Sequence, residues 1–213
     1  MTTALLQAHR RGFTLSAAWL SPLRVLDEHL FFPIRRQNLT RLLAPHLGKG
    51  ETVLDVGSSC GRLAKQLMEK VDCRIEGIDI CLQPHACIPV RQYDGQNIPF
   101  DADSFDGVMM VDMLHHTTHP EQVLREAARV SRRYLLIKDH YWNTPADLLG
   151  LQVSDYIGNA PYSIDLPYHY LKMTEWMQLI HRLGLRVTDI DQFRYLPLDP
   201  CRHVILRLEK VSQ

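Results

Sequence analysis

Apolar and polar positions alternate between two periods along this chain, and the switching predicts an α/β protein. Leu23 to Leu47 reads as helical with a break at Pro33, because Leu39, Leu42 and Leu43 recur at helical spacing. Gly48 and Gly50 close it. The compact run Thr52-Val53-Leu54-Asp55-Val56, ended by Gly57, has the length and β-branched content of a buried parallel strand. Gly61 to Lys70 follows as a helix, Arg74 to Ile78 as a strand, and Pro89 to Tyr93 as a third strand. Phe105 to Val111 reads as a strand and Pro120 to Val130 as a helix, with Val123, Ala127 and Val130 on one face. Tyr134 to Ile137 is a strand, and Thr174 to Leu183 a helix with Thr174 as N-cap and Gly184 past its end. Arg186 to Ile190 and His203 to Leu208 supply the last two strands. Strands alternating with helices predict an open, mainly parallel sheet covered on both faces, which takes its ligand at the carboxyl ends of the strands.

Composition narrows the class. The 213 residues suit one domain, and 46% apolar with 23% charged residues is globular usage. No repeat or linker divides them. Residues 1–47 are expected to form an N-terminal helical cap, and residues 141–173 a lid-like insertion rich in aromatics (Tyr156, Tyr162, Tyr168, His169, Tyr170) and bent by Pro161 and Pro167. Lys+Arg and Asp+Glu both number 24, so no global positive field favours a nucleic-acid backbone. No apolar run approaches the roughly 18 residues that span a bilayer, and the start of the chain lacks signal-peptide order. Five cysteines without a CxxC pair suit reduced thiols, and a cytoplasmic location is expected.

Chemistry concentrates at the strand ends. Asp55-Val56-Gly57-Ser58-Ser59-Cys60-Gly61 opens a helix with small residues, which let backbone N–H groups approach a ligand. A dinucleotide fingerprint needs glycines at 59 and 62, where Ser59 and Arg62 stand. A phosphate loop needs a closing Gly-Lys-Ser/Thr, which is missing. An acid two residues before the first glycine fits the S-adenosylmethionine loop instead, with Ser59 where a middle glycine is usual. Asp79, 18 residues after Gly61, stands near the ~20-residue offset of an acid that receives ribose hydroxyls, although a loop-capping carboxylate is the competing reading. Asp94-Gly95 lies where a carboxylate can receive an adenine amino group, or where an Asp-Gly turn simply bends the chain.

Taken together, VLDVGSSCG, EGIDI, YDGQNIPF, DSFDGVMMVDMLHHTTHPEQVLREAARV and YLLIKDH resemble class I S-adenosylmethionine-dependent methyltransferases, especially the ubiquinone and menaquinone type. The resemblance implies a Rossmann-like, seven-stranded, mostly parallel sheet ending in an antiparallel hairpin. It places Gly57, Ser58, Ser59 and Gly61 along the methionine moiety with Asp55 behind. Asp79, followed by Ile80, takes the ribose; Asp94 and Gly95 take the adenine; Val111 and Asp112 flank the methionine end. Two features depart from the pattern: Ser59, and a connection from Asp79 to Pro89 too short for the usual crossover helix.

For the transfer step, His116 and His140 are the expected contacts to an acceptor hydroxyl, since a neutral imidazole suits that work. A metal site from His115, His116, His119 and Asp112 is set aside, because adjacent histidines on a strand or helix point apart. The expected acceptor is a small molecule. A fold that keeps the cofactor site but serves as a binding or assembly subunit is the competing reading.

Overall fold

The computed structural model describes residues 32–159, 167–196 and 199–211. The first part of the expected cap, and Pro161 and Tyr162 of the expected lid, lie outside the described residues. Helix α1 (Phe32–Leu43) leads into β1 (Thr52–Val56), α2 (Arg62–Val71), β2 (Arg74–Asp79), β3 (Val90–Gln92) and β4 (Phe105–Val111). There follow α3 (Pro120–Val130), β5 (Ser131–Trp142), α4 (Pro145–Asn159), β6 (Leu171–Lys172), α5 (Met173–Arg182), β7 (Leu185–Phe193) and β8 (Arg202–Lys210). Pro33 sits in the first described turn of α1, and the expected helix before it lies outside the described residues.

The sheet runs β3-β2-β1-β4-β5-β8-β7, with β6 added beside β5. Strands β1 to β5 pair in parallel along this order, and β8 runs antiparallel to both β5 and β7. Seven strands therefore form the expected path, and the two-residue β6 is an eighth that the sequence pattern does not predict. The chain leaves β1 towards β2 on one side and later returns to β4 on the other, so the switch point lies at β1.

Burial explains why β1 is mostly apolar. Leu54 and Val56 pack on one face with Val123, Leu124 and Ala127 of α3 and Trp176 and Ile180 of α5. Val53 packs on the opposite face with Leu39 and Leu43 of α1 and Ala64 and Leu67 of α2. A strand covered on both sides has no solvent face, hence no polar alternation.

Two boundaries differ from expectation for local reasons. Strand β5 extends well past Ile137, because Lys138 and Asp139 are buried and held by polar partners. Helix α5 is capped at Lys172, whose N–H donates to the Glu175 carboxylate at 2.6 Å, and Thr174 falls inside the first turn. Between β2 and β3, residues 80–89 form no helix, in keeping with the short spacing. They fold back on the start of α2: Cys87 N–H donates to Cys60 O at 2.8 Å, and Ile88 is buried against Gly61. A Cβ at Gly61 would lie 2.4 Å from Ile88 Cγ1, so glycine is required for this connection to close.

Candidate active site

The turn after β1 is shaped by three left-handed residues, Gly57 (φ 78°), Ser59 (φ 51°) and Gly61 (φ 70°). Ser59 thus adopts the conformation of the glycine it replaces, at a cost of about 1–2 kcal/mol for a residue with a Cβ. Its N–H donates to Asp79 Oδ2 at 2.7 Å, and Asp79 Oδ1 accepts from Cys81 N–H at 3.0 Å. Gly57 and Ser58 both donate their N–H groups to Ile78 O, at 2.8 and 3.2 Å, which ties the turn to the end of β2. The turn is tight: a Cβ at Gly57 would lie 2.9 Å from Met113 Cβ, and one at Gly77 would lie 2.3 Å from Ser58 Oγ.

Two carboxylates confront each other behind this turn. Asp55 is 5% exposed, and burial, reinforced by the Asp79 charge, pushes its carboxyl up to about 7. A positively charged group brought to this place relieves the repulsion. Beyond it, Ile80 is 62% exposed and lies beside Gly95, an apolar surface open to solvent. Asp94 Oδ1 accepts from the N–H groups of Gln96 (2.8 Å) and Asn97 (2.6 Å), and Oδ2 accepts from Asn97 Nδ2 (2.7 Å). The Asn97 bonds, with that from Gln96, hold its carboxyl below the ordinary range. Asp94 therefore builds the bend itself, with accepting capacity left on its outer oxygen. A carboxylate pair, a tight turn of small residues and an exposed apolar side chain form a surface that fits an adenosine carrying a sulfonium.

The tips of β4 and β5 are made of side chains instead. Val111 is followed by Asp112 in a left-handed conformation (φ 52°). Asp112 Oδ2 accepts from Arg35 Nη2 of α1 at 2.6 Å, and Oδ1 accepts from Lys138 Nζ. Burial alone would raise the Asp112 carboxyl; Lys138 and Arg35 hold it well below the usual range. Lys138 is fully buried, and its ammonium also lies 3.1 Å from His203 Nδ1, while His203 Nε2 lies 3.1 Å from Asp199 Oδ2. Asp139 Oδ1 lies 2.5 Å from His115 Nδ1 and accepts His140 N–H at 2.7 Å, and Oδ2 accepts Leu114 N–H at 3.1 Å.

Both expected acceptor contacts stand here. His140 is nearly buried, and desolvation followed by the Lys138 charge pushes its imidazole down to about 3, so it is neutral near pH 7. His116 is one-quarter exposed and is also lowered, by burial and by His115. His115 and His116 do not point apart as expected. A 3₁₀ turn over Leu114–His116 brings their ring centroids within 4.0 Å. His119 instead precedes α3, and Asp112 is engaged with Arg35 and Lys138. Arg35, Lys138, His203 and Asp155 escaped the sequence reading. Lys138 carried one signal: a cation inside the apolar run YLLIKDH, where a strand covered on both faces must bury it.

Comparison with known proteins agrees with this geometry. Residues 54–134 match the family described as a methyltransferase domain. The C-methyltransferase of ubiquinone and menaquinone biosynthesis from Nitrosospira multiformis is 31% identical over 96 residues, 39% of each chain, so that match spans well under half of the relative. The ubiquinone biosynthesis O-methyltransferase of Idiomarina loihiensis is 25% identical over 203 residues, covering 86% of this chain and 81% of the relative. Among solved structures, the methyltransferase in complex with the activator Trm112 from Haloferax volcanii superposes with a TM-score of 0.68 at 16% identity, covering 92% of this chain and 96% of that one, a likeness of fold. These similarities make the chain an S-adenosylmethionine-dependent methyltransferase similar to those of the ubiquinone and menaquinone type, with S-adenosylmethionine as its cofactor.

Proposed function

We propose that this protein transfers a methyl group to a small-molecule acceptor, the cofactor held at the tips of β1 and β2 and the acceptor seated at the tips of β4 and β5. The observation that carries this reading is the left-handed turn Gly57–Ser59–Gly61 docked by its Ser59 N–H onto the Asp79 carboxylate. In the proposal Asp79 receives the ribose hydroxyls, Ile80, Asp94 and Gly95 border the adenine, and Gly57 to Gly61 run along the methionine chain. Asp55 stands behind the cation, and Val111 and Asp112 mark its methyl-bearing end. When bound, S-adenosylmethionine supplies a methyl group already activated on a sulfonium. The protein's task is then alignment and exclusion of water. His116 and His140 face the acceptor. Both imidazoles are held below their usual basicity, so their contribution is positioning rather than strong proton removal. The relatives named for ubiquinone biosynthesis support an acceptor of similar kind, a small molecule bearing a nucleophilic oxygen or carbon.

Calorimetric titration with S-adenosylhomocysteine tests the cofactor half. Saturable 1:1 heat is expected, lost in Asp79→Ala. Absence of heat in the intact protein overturns the reading. Methyl-labelled cofactor incubated with phenolic and quinol acceptors tests the other half, with label expected in the organic product.

A further inference from the structure

We propose that His115, His116 and Asp155 form a binding site for a divalent cation of the zinc class, with room for an additional exogenous ligand. One donor atom of each of these residues lies within 4.8 Å of the others. His115 Nε2 and His116 Nε2 lie 4.0 and 3.9 Å from Asp155 Oδ1. Tetrahedral coordination at about 2.0–2.1 Å per bond sets donor atoms roughly 3.4 Å apart, so the Asp155 carboxylate and the two rings draw together by about half an ångström or more on loading. Two imidazoles and one carboxylate are the donor set of catalytic rather than structural zinc sites, which leave a coordination position open.

The surroundings orient these donors as an outer shell does in metal centres. The Asp139 carboxylate, 2.5 Å from His115 Nδ1, fixes the tautomer that presents the Nε2 lone pair. Tyr170 stacks on the His115 ring at 5.2 Å and donates its O–H to Asp155 Oδ2 at 2.6 Å, steering the other oxygen toward the histidines. The 3₁₀ turn that pairs the two rings is itself held by Leu114 N–H on Asp139 Oδ2. On loading, the ion takes the place of any Nε2 proton, and the two imidazole nitrogens and the carboxylate oxygen then serve as donors to one cation. The neighbouring set His115, Asp139 and His140 also satisfies the spacing. Asp139, however, already takes the N–H groups of Leu114 and His140 and pairs with His115 Nδ1, which makes it the orienting group rather than a ligand. His116 then meets an acceptor through the ion, whose Lewis acidity favours an oxygen ligand.

The site stands whether or not the chain transfers methyl groups, and its test reads metal rather than turnover. Full-length protein stripped with a chelator is titrated with Co²⁺ and followed by visible absorption, then with Zn²⁺ by calorimetry. One ion per chain is expected, with cobalt d–d bands of low coordination number and no thiolate charge-transfer band. His116→Ala and Asp155→Asn should each weaken binding at least tenfold, and Asp139→Asn about 10–100-fold, while unchanged circular dichroism shows that each variant is folded. Should His116→Ala lose its fold, His116→Gln gives the same reading. No stoichiometric binding, equal affinity in folded variants, or a thiolate band removed by Cys81→Ser overturns the site. S-adenosylhomocysteine titration of Asp155→Asn, expected to match the parent, separates this outcome from failure of the methyl-transfer reading.

Discussion

At the tips of β1 and β2 the protein offers mostly backbone: a turn of Gly57, Ser58, Ser59 and Gly61, tied to Ile78 O and to one carboxylate. At the tips of β4 and β5 it offers side chains: Asp112, His115, His116, Lys138, Asp139, His140 and His203, nearly all buried or half-buried and interlocked. Backbone N–H groups need only a correct turn, so a short local stretch suffices to make the first region. The second is a network of ionised groups in low dielectric, where each charge depends on its partners and a missing one leaves another buried and unsatisfied. One end should therefore tolerate loss of a side chain with a local loss of ligand affinity, and the other should answer with loss of fold stability.

The sharpest way to break that contrast is Lys138→Met. It strips the buried partner from Asp112 Oδ1, and unfolding in denaturant should show a loss of about 3–5 kcal/mol. Adding Asp112→Asn should recover only part, since Arg35 then loses its carboxylate partner. At the other end, Asp79→Ala should abolish measurable S-adenosylhomocysteine heat, a loss of at least about a hundredfold, while melting changes little.

Asp55 gives the cofactor end its pH signature. Its carboxyl moves from 3.8 to about 7 on folding, so the native chain holds more protons than the unfolded one between those values. Stability against unfolding therefore falls as pH rises from about 4 to about 7 and levels off above. Asp55→Asn should flatten that slope and stabilise the ligand-free protein at pH 8 by on the order of 2 kcal/mol. Affinity for the cationic cofactor should rise through the same window, about tenfold from roughly pH 6 to pH 8, as the ionised carboxylate is the form that attracts it. The smallest effect is expected of Ser59→Gly. Relief of the left-handed strain, about 1–2 kcal/mol, less the greater entropy of a glycine in the unfolded chain, should net roughly 0.5 kcal/mol of stability and leave cofactor affinity within a fewfold.

The same contrast governs what could be read from the sequence. Strand β4 and helix α3 begin and end where their apolar periodicity predicts, because their cores are made by their own residues. The turn and Asp79 were legible because their spacing is local. By pattern alone strand β5 ends at Ile137, because Lys138, Asp139 and His140 look like a loop until their partners are known. Those partners stand far away in sequence: Arg35 reaches Asp112 across 77 positions and Lys138 meets His203 across 65. The convergence of His115 and His116 was missed for a nearer reason. Strand and helix geometry both separate adjacent side chains, whereas the short 3₁₀ turn held by Asp139 does not.

A crystal structure of the protein with S-adenosylhomocysteine tests the central claim most directly. The ribose hydroxyls should lie about 3 Å from the Asp79 carboxylate oxygens, with the amino-acid tail along Gly57–Gly61. A nucleoside bound elsewhere, or a ribose held by residues other than Asp79, would contradict the account.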